Sequence, residues 1–125
     1  MTLINIPGIT ISAVVACMLL VSGIAFSATM DEEIDFLLDT VVNSDCVFTR
    51  NGKDHAAEDA RDHLQMKRKR GARYFDSSEE FIERLASKSS WSGKPYFIQC
   101  GDEPRVTAKE WFTTLLEQHR KSNQD

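Results

Sequence analysis

Cys46-Val47-Phe48-Thr49-Arg50-Asn51-Gly52 decides how this chain is folded. Cys46 to Thr49 is rich in residues that suit a pleated, half-buried surface, and Asn51-Gly52 is a tight-turn signal. The stretch therefore reads as a short strand with an abrupt end. Its partner is Pro95-Tyr96-Phe97-Ile98-Gln99-Cys100, whose proline sits at the start, where a strand tolerates it. Cys46 opens the first strand and Cys100 closes the second, so a bond between them is natural only if the strands run antiparallel. Pairing then follows the sum 46 plus 100, setting Phe48 beside Ile98 and Arg50 beside Tyr96.

Helical patterns surround these strands. Thr29-Met30-Asp31-Glu32 has capping-box spacing, and Ile34, Leu37, Leu38, Val41 and Val42 follow at i, i+3, i+4, i+7 and i+8, which is one apolar face. A second helix is expected from about Asp54 to Arg70, with Ala56, Ala60, His63, Leu64 and Lys67 on one face and Gly71 as its stop. A third starts at Ser77-Ser78-Glu79-Glu80 and presents Phe81, Ile82, Leu85 and Ala86. Thr107-Ala108-Lys109-Glu110 caps the last, which carries Trp111, Phe112, Leu115, Leu116 and His119. The order α-β-α-α-β-α predicts a small α+β domain with a short antiparallel two-stranded sheet and one disulfide.

The first thirty residues contain no charged side chain, and Ile9 to Phe26 is almost continuously apolar. Ala25 and Ser27 stand at cleavage-like spacing before Asp31-Glu32-Glu33, a pattern that resembles a secretory signal occupying residues 1–27. The segment before the apolar run lacks Lys and Arg, and the run approaches the roughly 20 residues of a spanning helix, so an uncleaved anchor over residues 9–26 is the alternative. A lipid-attachment reading at Cys17 is disfavoured, because Met18 to Phe26 stays apolar where an exported chain turns polar. Removing 27 of the 125 residues leaves 98, a single domain over residues 28–125 with two cysteines. In an exported chain an even pair is most simply a disulfide; a metal site or reactive thiol lacks a Cys-x-x-Cys or suitably spaced His.

Composition excludes some functions. The net charge is −4 and every charged side chain lies after residue 30, which argues against nucleic-acid binding. His55 and His63 are eight apart, too far for a close helical metal pair, and no metal or cofactor is expected. Ser87-Lys88-Ser89-Ser90 with Ser92 has no nucleophile-elbow motif and no companion base. The basic run of Lys67, Arg68, Lys69, Arg70 and Arg73 reads either as a solvated helix end or as a dock for anionic headgroups. Distant polar residues converge only where Arg50-Asn51-Gly52 meets Ser92-Gly93-Lys94. Arg50 and Lys94 offer charge there, Asn51 and Ser92 hydrogen bonds, and the glycines exposed amides for a carboxylate or phosphate. The simpler reading is favoured, since turn chemistry alone explains the glycines and leaves Arg50 and Lys94 as solvated loop charges.

Phe48-Thr49-Arg50-Asn51-Gly52, then His55, then Ala60 to Lys67 forms one signature; Ser78 to Ile82 with Ala86 to Ser90 and Ser92 to Tyr96 forms another. Together they resemble the YfeK-like family of small exported bacterial proteins of unknown function. The resemblance covers residues 46 to 116. It implies a periplasmic location in a Gram-negative bacterium and supplies no activity. The residues that carry it include Arg50, Asn51, His63, Lys67, Lys94 and Tyr96, which become the candidate binding residues, although such motifs can equally be structural. The expectation is a non-enzymatic domain that binds an envelope protein or an anionic envelope component, touching membrane only through residues 9–26 if these are retained. The alternatives are a small hydrolase using the Arg50/Lys94 end with His63 as acid or base, and a membrane-anchored accessory subunit.

Overall fold

The computed structural model describes residues 28–125, together with Gly8. The expected signal or anchor therefore lies outside the described residues. The first helix, α1, spans Met30–Asn43 and opens with a closed capping box. The Thr29 hydroxyl accepts from the Glu32 amide at 3.2 Å, and the Glu32 carboxylate accepts from the Thr29 amide at 2.9 Å. Ile34, Leu37, Leu38 and Val41 are all buried, as the spacing predicts.

Strand β1 (Cys46–Arg50) then pairs antiparallel with two neighbours. One is β3 (Phe97–Cys100), in the predicted register, with Cys46 opposite Cys100 and Phe48 opposite Ile98. The Cys46–Cys100 disulfide is present, joining Cα atoms 4.1 Å apart. A linkage of this kind belongs to an oxidising compartment.

The other neighbour corrects the two-stranded expectation. Asn51 and Gly52 have φ of 49° and 77°, the two left-handed positions that turn a hairpin in two residues, and Lys53–His55 returns as β2. A further strand, β4 (Val106–Thr107), pairs with β3, so the sheet has four antiparallel strands in the order β2-β1-β3-β4. Helix α2 accordingly starts at Ala57 rather than near Asp54 and ends at Arg70. Its glycine stop has a steric basis, since a Cβ on Gly71 would lie 2.9 Å from the Leu85 side chain.

The third helix also departs from expectation. Helix α3 covers only Ser78–Phe81 before passing into one turn of π-helix at Ile82–Ala86. Helix α4 (Ala108–Ser122) completes the fold. The helices cover one face of the sheet: Phe48 and Ile98 are buried against Phe81, Phe112 and Ile34, while Val47 and Gln99 point away from the core.

One ionic group ties the helices together. Glu33 on α1 accepts from Arg120 of α4 at 2.7 and 3.0 Å and from the Ser78 hydroxyl of α3 at 2.8 Å, and Arg120 also holds Glu79. The Arg120 guanidinium keeps the buried Glu33 carboxyl below the usual carboxylate range.

Candidate functional site

His63 and Lys67 stand one turn apart on α2 and face Tyr96, the residue leading into β3. Periodicity placed Lys67 on the apolar face of its helix, and it is only 6% exposed. Its ammonium donates to the Lys88 carbonyl at 2.8 Å and to the Tyr96 hydroxyl at 3.1 Å, and lies 5.0 Å from the centre of the Tyr96 ring. No carboxylate among the described residues pairs with it. An ammonium can only donate, so the Tyr96 oxygen accepts from Lys67, and the same hydroxyl lies 3.3 Å from His63 Nε2, in a hydrogen bond whose direction is set by the imidazole tautomer.

The electrostatics follow from burial beside like charges. Burial first, then the charges of Arg50, Lys67 and His55, lowers His63 to about 4. Burial, then the charges of Arg50 and Lys88, lowers Lys67 to about 8. Burial raises the Tyr96 phenol, with Arg50 opposing it.

His63 yields a pH prediction. Between pH 6.5 and about 4 the unfolded chain binds a proton at this position that the folded chain refuses. Stability therefore falls as pH drops through that window. Urea midpoints measured across it should slope less steeply for His63→Gln than for wild type. Parallel slopes would show that His63 is not held neutral by the fold.

Around this trio opens a cleft of about 820 Å³, a size suited to a small organic ligand. Its walls carry Lys67 and Arg70 from α2, Arg84 from the π turn and Lys88 from the following loop; no Asp or Glu among the described residues lines it. Arg84 is partly engaged, donating to the Tyr74 carbonyl at 2.6 Å and pairing with Glu80 at 3.3 Å. The predicted basic run is divided between roles. Lys67 turns inward and Arg70 lines the cleft, but Arg68 bridges to Asp31 and Asp35 on α1 at 3.0 and 2.6 Å.

The other predicted site residues spread around the trio. Arg50 lines a separate pocket of about 30 Å³ with Thr49, His55 and Tyr96, and reaches the trio through its charge. Asn51 does meet the loop before β3: its amide oxygen accepts from the Ser92 hydroxyl at 2.7 Å, and its nitrogen lies 3.4 Å from the Ser89 hydroxyl. Lys94 is exposed and lines neither pocket. The Arg50/Lys94 convergence with His63 therefore does not form a common cleft. Ser89 is buried and its hydroxyl accepts from the Trp91 and Ser92 amides, which makes it a loop organiser. Sequence reading left Arg84, Tyr74 and Met66 out of the site; the one available signal was Trp91, a large aromatic in an otherwise polar loop. Among the described residues no cluster of His, Cys, Asp or Glu has metal-binding geometry.

A family model described as "Family of unknown function (DUF5329)" matches residues 28–120. The chain belongs to this family. All the DUF5329 cleft residues, from His63 to Tyr96, fall inside the matched span. The DUF5329 chain is also 36% identical over 88 residues to the Uncharacterized protein YfeK of Salmonella typhimurium strain LT2, a match covering 69% of this chain and 73% of that protein. No solved structure matches it. Among the described residues no DUF5329 helix is long and apolar enough to cross a membrane.

Proposed function

We propose that this is an exported, non-enzymatic binding domain of the periplasm whose cleft receives the anionic group of an envelope component. The observation that carries the reading is the buried Lys67 ammonium. It lies on the floor of a cleft walled by three further cations, and no carboxylate pairs with it. A cation desolvated without a counter-charge destabilises the fold unless a ligand supplies the charge. Tyr96 and the Lys88 carbonyl fix the ammonium's direction, so an arriving phosphate or carboxylate meets an oriented donor. Export is supported by the apolar segment before residue 28 and by the disulfide. Retention of residues 9–26 as an anchor would leave the same domain on the same side of the membrane.

The hydrolase reading draws on the Lys67–Tyr96–His63 hydrogen-bonded chain, which resembles a proton relay. Its weakness is that Ser89 is committed to its own loop, and neither it nor Ser90, the other serine lining the cleft, is hydrogen-bonded to that relay. Calorimetric titration with inorganic phosphate and pyrophosphate tests the binding reading. Saturable binding by wild type, weakened about tenfold or more in Lys67→Met, is expected from the loss of one buried charge-assisted contact. Binding that ignores this substitution, or no binding at all, would refute it.

A further inference from the structure

Four large apolar side chains are exposed among the described residues, and three of them, Met66, Tyr74 and Trp91, stand at the mouth of this one cleft. Trp91 is 97% exposed, so it buries almost nothing in the fold and its position has no explanation in the core. It is nevertheless held firmly. The Ser89 hydroxyl accepts from the amides of Trp91 and Ser92, the Ser92 hydroxyl is tied to Asn51, and the Ser89 amide donates to the Lys94 carbonyl at 2.9 Å. A braced loop that projects an indole into solvent loses little conformational entropy on docking. Arg70, Arg84 and Lys88 line the same cleft as that indole.

We infer that the Trp91 loop is a membrane-docking surface, with the indole seated in the headgroup region of an anionic bilayer and Arg70, Arg84 and Lys88 against lipid phosphates. Indole and phenol rings favour that boundary, where one end of the ring is apolar and the other wet. Basic side chains within a Debye length of an anionic leaflet add attraction. Charge also orients the molecule: with 19 acidic and 15 basic residues the whole is net negative, so an anionic surface favours poses that present this basic mouth. A stable protein interface needs on the order of 1,000 Å² of complementary surface, which one projecting ring flanked by Met66 and Tyr74 does not supply. A bilayer makes no such demand. This contact is separate from the 9–26 segment; it shares Arg70, Arg84 and Lys88 with the proposed anion cleft but does not need the buried Lys67.

The test uses the full chain in its exported form, with vesicles of phosphatidylglycerol and, in parallel, of phosphatidylcholine. The difference in tryptophan emission between wild type and Trp91→Phe isolates Trp91 from Trp111. The expected result is a blue shift and quenching by bilayer-embedded bromolipid with phosphatidylglycerol alone, together with about tenfold weaker partitioning of Trp91→Ala. This readout reports Trp91 whether or not residues 9–26 hold the chain to the vesicle. An unshifted Trp91 on anionic vesicles, or an equal shift on neutral ones, overturns the inference. Phosphate titration separates the two sites. Trp91→Ala should still bind phosphate, and Lys67→Met should still dock. If either substitution abolishes both activities, the docking surface is not independent and the inference fails.

Discussion

Lys67→Met is expected to be more stable than wild type at pH 7, and to lose the anion response in gaining that stability. The folded protein releases the Lys67 proton at about 8, whereas the ordinary value is 10.5. Between those values the unfolded chain binds the extra proton, so wild-type stability climbs as pH rises across that window. Below it the folded state carries the whole cost of a buried, unbalanced charge, at most about 3 kcal/mol. Methionine keeps the unbranched shape and removes the charge. The substitution forfeits hydrogen bonds to Lys88 and Tyr96, so the net gain at pH 7 is smaller than that cost. Urea unfolding at pH 7 and pH 10 provides the check, because the advantage should nearly vanish at the higher pH. A variant weaker than wild type at pH 7 would mean that the fold carries no such cost.

The second large effect concerns the disulfide. Replacing both Cys46 and Cys100 with alanine should lower stability by about 4 kcal/mol, from the chain entropy of closing a 54-residue loop. Domains of this size hold only about 5–15 kcal/mol in total, so the change consumes much of the margin. The bond joins residues directly opposite each other on β1 and β3, and everything from the hairpin to the cleft loop lies inside the loop it closes. Denaturant curves with and without dithiothreitol should differ widely for wild type and coincide for the double variant. Coincident wild-type curves would show that the bond contributes nothing.

The elements that could be read from sequence are those in which local pattern and burial agree. Helix α1 advertises itself through its capping box and apolar face, and the cysteine pair sets the β1–β3 register. Strand β2 could not be seen that way. Lys53-Asp54-His55 has no apolar residue, and its acidic and basic side chains suit a helix start equally well; backbone pairing across the Asn51-Gly52 turn decides the matter. Strand β4 is two residues long, too short for any period. In the site, the spacing of Ala60, His63, Leu64 and Lys67 already put the lysine on the inner face. Its partners were hidden because Lys88 contributes a carbonyl, a group every residue possesses. Arg120 went unnoticed although Ala108, Phe112 and Leu116 lead to it in steps of four. The charge at the end of an apolar series marked a buried ionic contact.

The π turn at Ile82–Ala86 has a consequence for how the protein can change. Such a turn holds one residue more than an α-helix would use, and that surplus rotates all that follows. Here the rotation aims the Ser87 carbonyl at the Tyr96 amide, 2.9 Å away, and brings the Lys88 carbonyl over Lys67. The segment is therefore a spacer whose length sets the loop's position, besides supplying Arg84 to the cleft. Apart from Arg84, side chains there can be exchanged within the limits of packing, but deleting a single residue is expected to relax the turn to an ordinary helix and swing the loop off Lys67.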